Sequence, residues 1–258
     1  MRASLLQIDV NPDETVEDRR TRVGDLVAAQ KDADLVVLPE LWPVGAFAYD
    51  LFDEHAELLE GPTFQVMSEA ARQAGAWLHA GSIVERATDG TLFNTSLVLD
   101  PEGQLAQNYR KIHRFGFDKG EATMMGAGVA PATVTLPDTQ LGLATCYDLR
   151  FPELFRTLVD AGSQVLVIPA GWPAKRAEHW TLLARARAVE NQTFVLACGT
   201  AGEHAGVPQA GRSAVYDPWG EVVAATEDNE ERVVTAEFDL SQVASVRESF
   251  PALKDRVL

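Results

Sequence analysis

Cysteine is scarce in this sequence: two residues in 258 allow at most one disulfide bridge and favour a reducing compartment. Positive charge is also scarce, since 22 Lys and Arg face 38 Asp and Glu, a net charge of −16 with neutral histidines. Such a field repels phosphate and argues against binding to nucleic acid or an anionic membrane. The first apolar run stops at Asp9, too short for a signal-peptide core or a membrane span. We therefore expect a soluble, cytoplasmic protein.

Short apolar runs of strand type alternate with amphipathic stretches along the chain, without a linker or repeat. The helices are expected over about residues 13–30, 63–75, 152–162, 178–191 and 241–247. Three runs within residues 77–115 are separated by the turn signals TDG and DPEG, which predicts neighbouring strands. This pattern predicts one layered α/β domain over residues 1–258, with more than one sheet.

Cys146 ends the apolar run LGLATC and is followed at once by YDLRFPEL. A cysteine in this position is more often a small core residue than a reactive one. Pro152 suits a first helical turn, however, and a thiol at the entry to a helix lies near free N–H groups and the positive dipole end, which favours a thiolate. The turn resembles a nucleophile elbow, although G-x-S-x-G is absent. Both interpretations stay open on these residues alone.

A nucleophilic cysteine needs a base, and none of the histidines lies in a local signature that pairs it with a thiol. The histidines are His55, His79, His113, His179 and His204. A partly buried carboxylate can serve instead. Glu40 is the candidate, because it ends the run LVVLPE and open α/β sheets place their sites at the carboxyl ends of strands. The alternative is a solvated loop glutamate.

Two further charged residues could belong to the site or could be ordinary surface residues. Lys111 lies in the basic run YRKIHR, which is usually a solvated face, but a lysine between carboxylates near a thiol would stabilise an oxyanion. Glu121 lies in the glycine-flanked loop DKGEATMMGAG, where an exposed acid is the default. Neither residue decides the function when it is considered alone.

The motifs LPE with Glu40, YRKIH with Lys111 and CYDLRFPEL with Cys146 together resemble the Glu-Lys-Cys triad motifs of the nitrilase superfamily of carbon-nitrogen hydrolases. The resemblance continues through HWTLLARARAVENQTFV and GRSAVYDPWGEVV, so it covers nearly the whole chain in the right order. It implies a four-layer αββα sandwich, subunits that pair as a homodimer, and no metal or organic cofactor. It also implies Cys146 as nucleophile, Glu40 as general base, Lys111 as electrostatic stabiliser and Glu121 as a second glutamate of the site.

The resemblance implies chemistry in which Glu40 takes the thiol proton and Cys146 attacks an amide carbon. Lys111 and the backbone N–H of Tyr147 would then hold the oxyanion. Tyr147-Asp148 after the thiol resembles ω-amidases and related Nit-type amidases, whereas strict nitrilases typically have Trp-Glu there. Bacterial 2-oxoglutaramate amidases commonly have Asn where this chain has Gly171.

The ω-amide of a dicarboxylate needs a cation for its remote carboxylate, and a planar guanidinium suits that anion. Arg176 is the candidate, with Lys175 behind it; the alternative is a solvated loop arginine. The predicted pocket walls, each of which could instead be core packing, are Trp172, Phe47 and Tyr49. Arg150 and Glu153 are expected to orient the turn after the thiol internally, and Cys198 is expected in the core.

The leading hypothesis is an amidase that hydrolyses the terminal amide of a small carboxylate-bearing substrate, such as 2-oxoglutaramate, through a thioester. Deaminated glutathione amidase, N-carbamoyl amino acid amidohydrolase and nitrilase are alternatives within the family. A non-catalytic binding or scaffold protein and a papain-like thiol hydrolase with a histidine base are alternatives from other classes. The expected partners are the small amide substrate and a second copy of the chain.

Overall fold

The computed structural model describes residues 1–257, so only the last residue of the predicted domain, Leu258, lies outside it. The strands are β1 (Arg2–Gln7), β2 (Leu35–Val37), β3 (Trp77–Arg86), β4 (Leu92–Leu99), β5 (Leu105–Arg110), β6 (Ala132–Thr135), β7 (Gln140–Leu143), β8 (Val165–Ala170), β9 (Phe194–Gly199), β10 (Glu203–His204), β11 (Val207–Pro208), β12 (Ala214–Tyr216), β13 (Val222–Ala225) and β14 (Arg232–Glu237). The α-helices are α1 (Val16–Ala28), α2 (Pro62–Ala74), α3 (Glu121–Met124), α4 (Pro152–Asp160), α5 (Ala177–Asn191) and α6 (Ser241–Ser249). Short 3-10 helices cover Tyr49–Leu51, Cys146–Arg150 and Ala174–Arg176.

Two six-stranded sheets form the centre of the molecule, in the orders β14-β1-β2-β3-β4-β5 and β13-β12-β9-β8-β7-β6. The middle strands β1, β2 and β3 are parallel, as are β7, β8 and β9. The outer strands pair antiparallel, and β3, β4 and β5 are adjacent. This confirms the predicted neighbouring strands and the prediction of more than one sheet.

The sequences of the central strands are continuous apolar runs because both faces of these strands are buried. In β8, Val165 and Val167 face the core between the two sheets, whereas Leu166 and Ile168 face the outer core against α4 and α5. The strands β1 and β2 alternate in the same way between the central core and the helices α1 and α2. The layers therefore run helix, sheet, sheet, helix, which confirms the αββα sandwich.

Helix boundaries follow the local capping chemistry. The first helix begins at Val16, later than the predicted residue 13, because the Thr15 side chain caps it by accepting a hydrogen bond from the amide of Asp18. The helix α2 starts with Pro62 and stops at Gly75, whose left-handed conformation closes the last turn. The short helix α3 and the ribbon β10-β11 were not predicted, because four-residue and two-residue elements carry no periodicity.

Both cysteines are free, so the one bridge that the sequence allowed does not form. Cys198 is fully buried in the core between the sheets, as predicted. Among residues 1–257, no helix combines the length and apolar character needed to cross a membrane.

Two buried histidines should make the fold sensitive to acid. Burial lowers the pKa of His79 to about 4, and burial together with Arg19 lowers that of His204 to about 3, so both are neutral in the folded protein. Because the unfolded chain protonates them near pH 6.5, they stabilise the fold fully above that pH and progressively less below it. Each should remove about 1.4 kcal/mol from the free energy of unfolding per pH unit between about pH 6 and 4.

Urea denaturation across this pH range measures that slope. The slope should become shallower in His79→Leu and His204→Leu, whatever the absolute stability of each variant. An unchanged slope in both variants would contradict the assignment.

Candidate active site

The carboxyl ends of the parallel strands bring the predicted residues together. Glu40 lies three residues after β2, and Cys146 lies three residues after β7 on the facing sheet. Lys111 directly follows β5, and Glu121 is the first residue of α3. All four side chains are buried, so none is the solvated surface residue that the sequence alone allowed.

Lys111 joins the two glutamates in one buried cluster. Its Nζ donates to Oε1 of Glu40 over 2.7 Å and to Oε2 of Glu121 over 2.6 Å. The other carboxylate oxygen of Glu40, Oε2, accepts from the amide of Gly171 over 2.9 Å. Burial alone would lower the pKa of Lys111, but Glu121 and Glu40 hold it well above its ordinary value. The ammonium therefore stays charged although its side chain is almost fully buried.

The 3-10 helix Cys146–Arg150, called the cysteine turn below, presents the thiol in a strained conformation. Cys146 has φ +46°, a left-handed value that is uncommon for residues with a side chain and recurs at functional sites. Its Sγ lies 3.8 Å from the carbonyl oxygen of Gly171, whose N–H is bonded to Glu40. The peptide units around Gly171 thus contact both the thiol and the glutamate.

The thiol is neutral in the resting site. Burial and the Glu40 carboxylate raise the pKa of Cys146 well above its ordinary value, against the opposing effect of Lys111. The expectation that the helix entry favours a thiolate is therefore wrong. Cys146 is the first residue of the cysteine turn, which separates it from the start of α4, and it is buried beside carboxylates. A base must remove the thiol proton before the sulfur can attack.

Glu121 differs from an ordinary glutamate. Burial and the neighbouring Glu40 raise its pKa, while Lys111 and Asn94 act in the opposite direction. Its Oε2 also accepts from the amide of Phe115 over 2.9 Å, so the loop before α3 is tied to the cluster.

A cavity of about 380 Å³ opens onto Cys146. It is lined by Glu40, Ala46, Phe47, Tyr49, Lys111, Phe115, Glu121, Cys146, Tyr147, Arg150, Gly171, Trp172, Pro173 and Arg176. The four residues predicted to contact substrate, Trp172, Arg176, Phe47 and Tyr49, all lie in this wall. Lys175 is exposed and lies outside it. Among residues 1–257, no histidine lines the cavity, so a papain-like pair has no geometric basis.

Comparison with known proteins decides the family. The model of the carbon-nitrogen hydrolase family matches residues 3–248. The chain belongs to the carbon-nitrogen hydrolase family. This confirms the family predicted from the motifs and makes the chain a hydrolase by membership.

Relatives of this carbon-nitrogen hydrolase span nearly its whole length. It is 43% identical to a 2-oxoglutaramate amidase of Paenarthrobacter nicotinovorans, over 98% of this chain and 88% of the relative. It is 37% identical to a 2-oxoglutaramate amidase of Bacillus subtilis, over 98% of this chain and 96% of the relative. The crystal structure of XC1258 from Xanthomonas campestris, a CN-hydrolase superfamily protein with an arsenic adduct in its active site, superposes with a TM-score of 0.91 at 32% identity, covering 100% and 97% of the two chains.

One sequence prediction about this hydrolase is wrong. Arg150 was expected to orient the cysteine turn internally, but its half-buried side chain lines the cavity. Its guanidinium carbon lies 4.9 Å from the ring centroid of Trp172, and its Nη2 lies 3.3 Å from Nδ1 of His179. Glu153 is exposed on α4 and does not take the internal position predicted for it.

Asp148 fixes the cysteine turn to the segment that carries Lys111. Its fully buried carboxylate accepts from the Thr145 amide over 2.9 Å, the Tyr109 hydroxyl over 2.8 Å and the His113 amide over 3.0 Å. Tyr109 and His113 bracket Lys111 in the chain. Sequence reasoning treated Asp148 only as a mark of subfamily, and its position two residues after Cys146 was the available signal.

Gly171 provides a sharp test of the packing around the hydrolase site. A Cβ at this position would lie 2.3 Å from the Cβ of Ala46, so Gly171→Ala must displace a cavity wall. Because shifts of about 1 Å at a catalytic site cost roughly a hundredfold, we expect a drop of about that size in hydrolytic kcat/KM. Ala46→Gly in the same chain removes the clashing atom and should restore most of the loss. A double variant as impaired as Gly171→Ala alone would contradict this account.

Proposed function

We propose that this chain is an amidase that releases ammonia from the terminal amide of a small carboxylate-bearing substrate, with 2-oxoglutaramate as the reference substrate. The observation that carries the proposal is one cavity that joins Cys146, the Glu40-Lys111-Glu121 cluster and two guanidinium groups. The names of the relatives at 43% and 37% identity support the same substrate class.

The acylation step begins with proton transfer from Cys146 to Glu40. The thiolate attacks the amide carbon, and the oxyanion is held by the Lys111 ammonium and the N–H of Tyr147. Tyr147 is the second residue of the cysteine turn, and the first N–H groups of a helix have no partner within it. Glu40 then returns its proton to the departing nitrogen, the C–N bond breaks, and ammonia leaves a thioester on Cys146.

Deacylation uses the same groups in reverse order. Glu40 takes a proton from a water molecule, and the resulting hydroxide attacks the thioester carbon. The C–S bond breaks, the sulfur recovers its proton, and the carboxylic acid leaves. The buried Glu121 stabilises the charge of Lys111 through both half-reactions.

Two arginines in the cavity wall support recognition of an anionic substrate. Arg150 lies against Trp172, and the guanidinium carbon of Arg176 lies 5.3 Å from the ring centroid of Phe115. The side chains lie against aromatic faces and retain donors for a carboxylate. Trp172 also donates from Nε1 to the carbonyl of Arg176 over 2.8 Å, which fixes the local backbone. We place the remote carboxylate of the substrate between these two guanidiniums.

The test is ammonia release from a panel of compounds, with Cys146→Ala as the control. The panel contains 2-oxoglutaramate, 2-oxosuccinamate, deaminated glutathione, N-carbamoyl amino acids, short uncharged amides and nitriles. We expect the highest kcat/KM for a 2-oxo acid amide. Nitriles at the top of the panel would overturn the amidase proposal, and no turnover of any compound would favour the non-catalytic alternative.

Variants of the two arginines, with a matched lysine variant as control, test recognition of the substrate carboxylate. Arg150→Gln and Arg176→Gln should each raise KM for 2-oxoglutaramate about tenfold or more, because a charge-assisted hydrogen bond contributes roughly 1.5–3 kcal/mol. Turnover of short uncharged amides should change much less. Lys175→Gln removes a neighbouring positive charge outside the cavity and is the control. Equal effects on charged and uncharged amides would contradict the proposed carboxylate site.

We further propose that residues 1–258 act as one domain, in the cytoplasm and as a homodimer. The free cysteines suit a reducing compartment. Trp219 and Phe250, with ring centroids 6.0 Å apart, are each more than half exposed, and the half-exposed Val189 of α5 lies beside Gly220. An apolar surface of this kind is typical of an interface. Light scattering should give twice the monomer mass for the parent chain and a lower mass for Trp219→Ser; a monomeric parent would overturn the proposal.

A further inference from the structure

Asn94 of β4 contacts both carboxylates of the buried cluster. Its Nδ2 donates to Oε1 of Glu40 over 2.8 Å and to Oε1 of Glu121 over 2.5 Å. The side chain is 3% exposed. Both protons of one amide group are therefore used to join two side chains of like charge that lie 81 positions apart in the sequence.

The cluster needs donors beyond Lys111. Two carboxylates and one ammonium leave one surplus negative charge if all three ionise, and all three side chains are buried. Like charges at this separation drive protonation unless hydrogen bonds compensate. Asn94 supplies two such bonds without adding charge, which a second lysine could not do.

The two carboxylates set the orientation of the Asn94 side-chain amide. The Oδ1 of Asn94 is buried and has no hydrogen-bond partner within residues 1–257. An unpaired buried acceptor is costly, so the two bonds from Nδ2 to the carboxylates must outweigh that cost. Turning the amide by 180° would satisfy neither carboxylate, since both are acceptors when ionised.

The two carboxylate oxygens of Glu40 have different hydrogen-bond partners. Oε1 accepts from both Asn94 and Lys111, whereas Oε2 accepts from the amide of Gly171, the residue whose carbonyl contacts the thiol. Oε1 is thus anchored by two donors, and Oε2 lies beside the residue whose carbonyl contacts the thiol. A base aimed in this way needs no rearrangement before it removes the proton.

We infer that Asn94 is a positioning residue, which holds the side chains of Glu40 and Glu121 together and aims Oε2 of Glu40 at the thiol. The inference rests on the proposed role of Glu40 as general base. It adds a further group to the Glu-Lys-Cys triad and Glu121, one that does not touch the reacting atoms.

The test compares Asn94→Ala and Asn94→Asp with Asn191→Ala. Asn191 is the matched control, because it is also fully buried with an unpaired Oδ1 but lies at the end of α5, outside the cavity.

We expect kcat to fall about a hundredfold in both Asn94 variants. We also expect the acid limb of the pH profile of kcat/KM to move up by about one pH unit, because a carboxylate that loses a donor gains a proton more readily. The Asn191 variant should leave the acid limb in place.

Iodoacetamide alkylation of Cys146 across the same pH range gives a second readout that needs no amide substrate. The alkylation profile of the Asn94 variants should move in the same direction as the acid limb. Unmoved profiles in folded Asn94 variants would overturn the inference, and circular dichroism identifies the folded ones. If Glu40→Gln itself leaves activity intact, the proposed function fails instead, so the two failures are distinguishable.

Discussion

Glu40→Gln should lower kcat for the amide substrate by about three to four orders of magnitude while the protein stays folded. The thiol of Cys146 is neutral in the resting site, because burial and Glu40 itself raise its pKa. Glutamine keeps the shape and can still contact Gly171, but it cannot accept the thiol proton. Single-turnover kinetics should show that acylation, which needs this proton transfer, is slowed.

The comparison with Cys146→Ala and with histidine variants gives this prediction its control. Cys146→Ala removes the nucleophile and should show no turnover. His113→Gln and His179→Gln test two histidines that contact the cysteine turn, at Asp148 and at Arg150. Loss of activity in either histidine variant, with Glu40→Gln still active, would restore the thiol–histidine alternative.

Lys111→Met should have the second large effect, on both catalysis and stability. It removes the cation shared by Glu40 and Glu121, so two buried carboxylates lose their partner. Breaking a buried pair in this way costs about 3–5 kcal/mol. Losing an oxyanion stabiliser costs a further factor of about a hundred to a thousand in kcat. Denaturant unfolding and ammonia release measure the two losses separately.

The stability loss should depend on pH in a defined direction. Burial already raises the pKa of Glu121, and loss of Lys111 removes the main opposing effect, so the folded variant binds a proton more readily than the unfolded chain. A carboxyl whose folded pKa is raised stabilises the fold at low pH and destabilises it as pH rises. The difference in free energy of unfolding between Lys111→Met and the parent should therefore shrink from about pH 8 to about pH 5. A constant difference would argue that lost packing, and not lost charge, is responsible.

The fold was largely predictable because both faces of the central strands are buried. Runs such as LVV before Glu40 and the run before Cys146 are short and largely buried, so their carboxyl ends mark the edge where sites lie. The partnership of Glu40 with Lys111 came from the family resemblance, since 71 positions separate the two residues in the sequence. Distances of that kind have no local signal.

The parts of the site that sequence reasoning missed have a shared physical cause. In the sequence, Asn94 looks like an ordinary polar residue of a hairpin strand. In the structure, β4 is buried and the Asn94 side chain contacts the cluster. Arg176 was predicted at the site, but Arg150 was expected to be internal, and the cavity wall that contains both shows that they converge. Side-chain direction at the end of a turn depends on tertiary contacts that no short motif contains.

The neutral, enclosed thiol of Cys146 has a consequence for the lifetime of the enzyme. Peroxide and other oxidants react with thiolates, and a cysteine that stays protonated until Glu40 acts on it offers them little target. Reactivity then arises mainly during turnover, when substrate fills the cavity and blocks access to the sulfur. We therefore expect the raised pKa also to protect the nucleophile from irreversible oxidation between catalytic cycles.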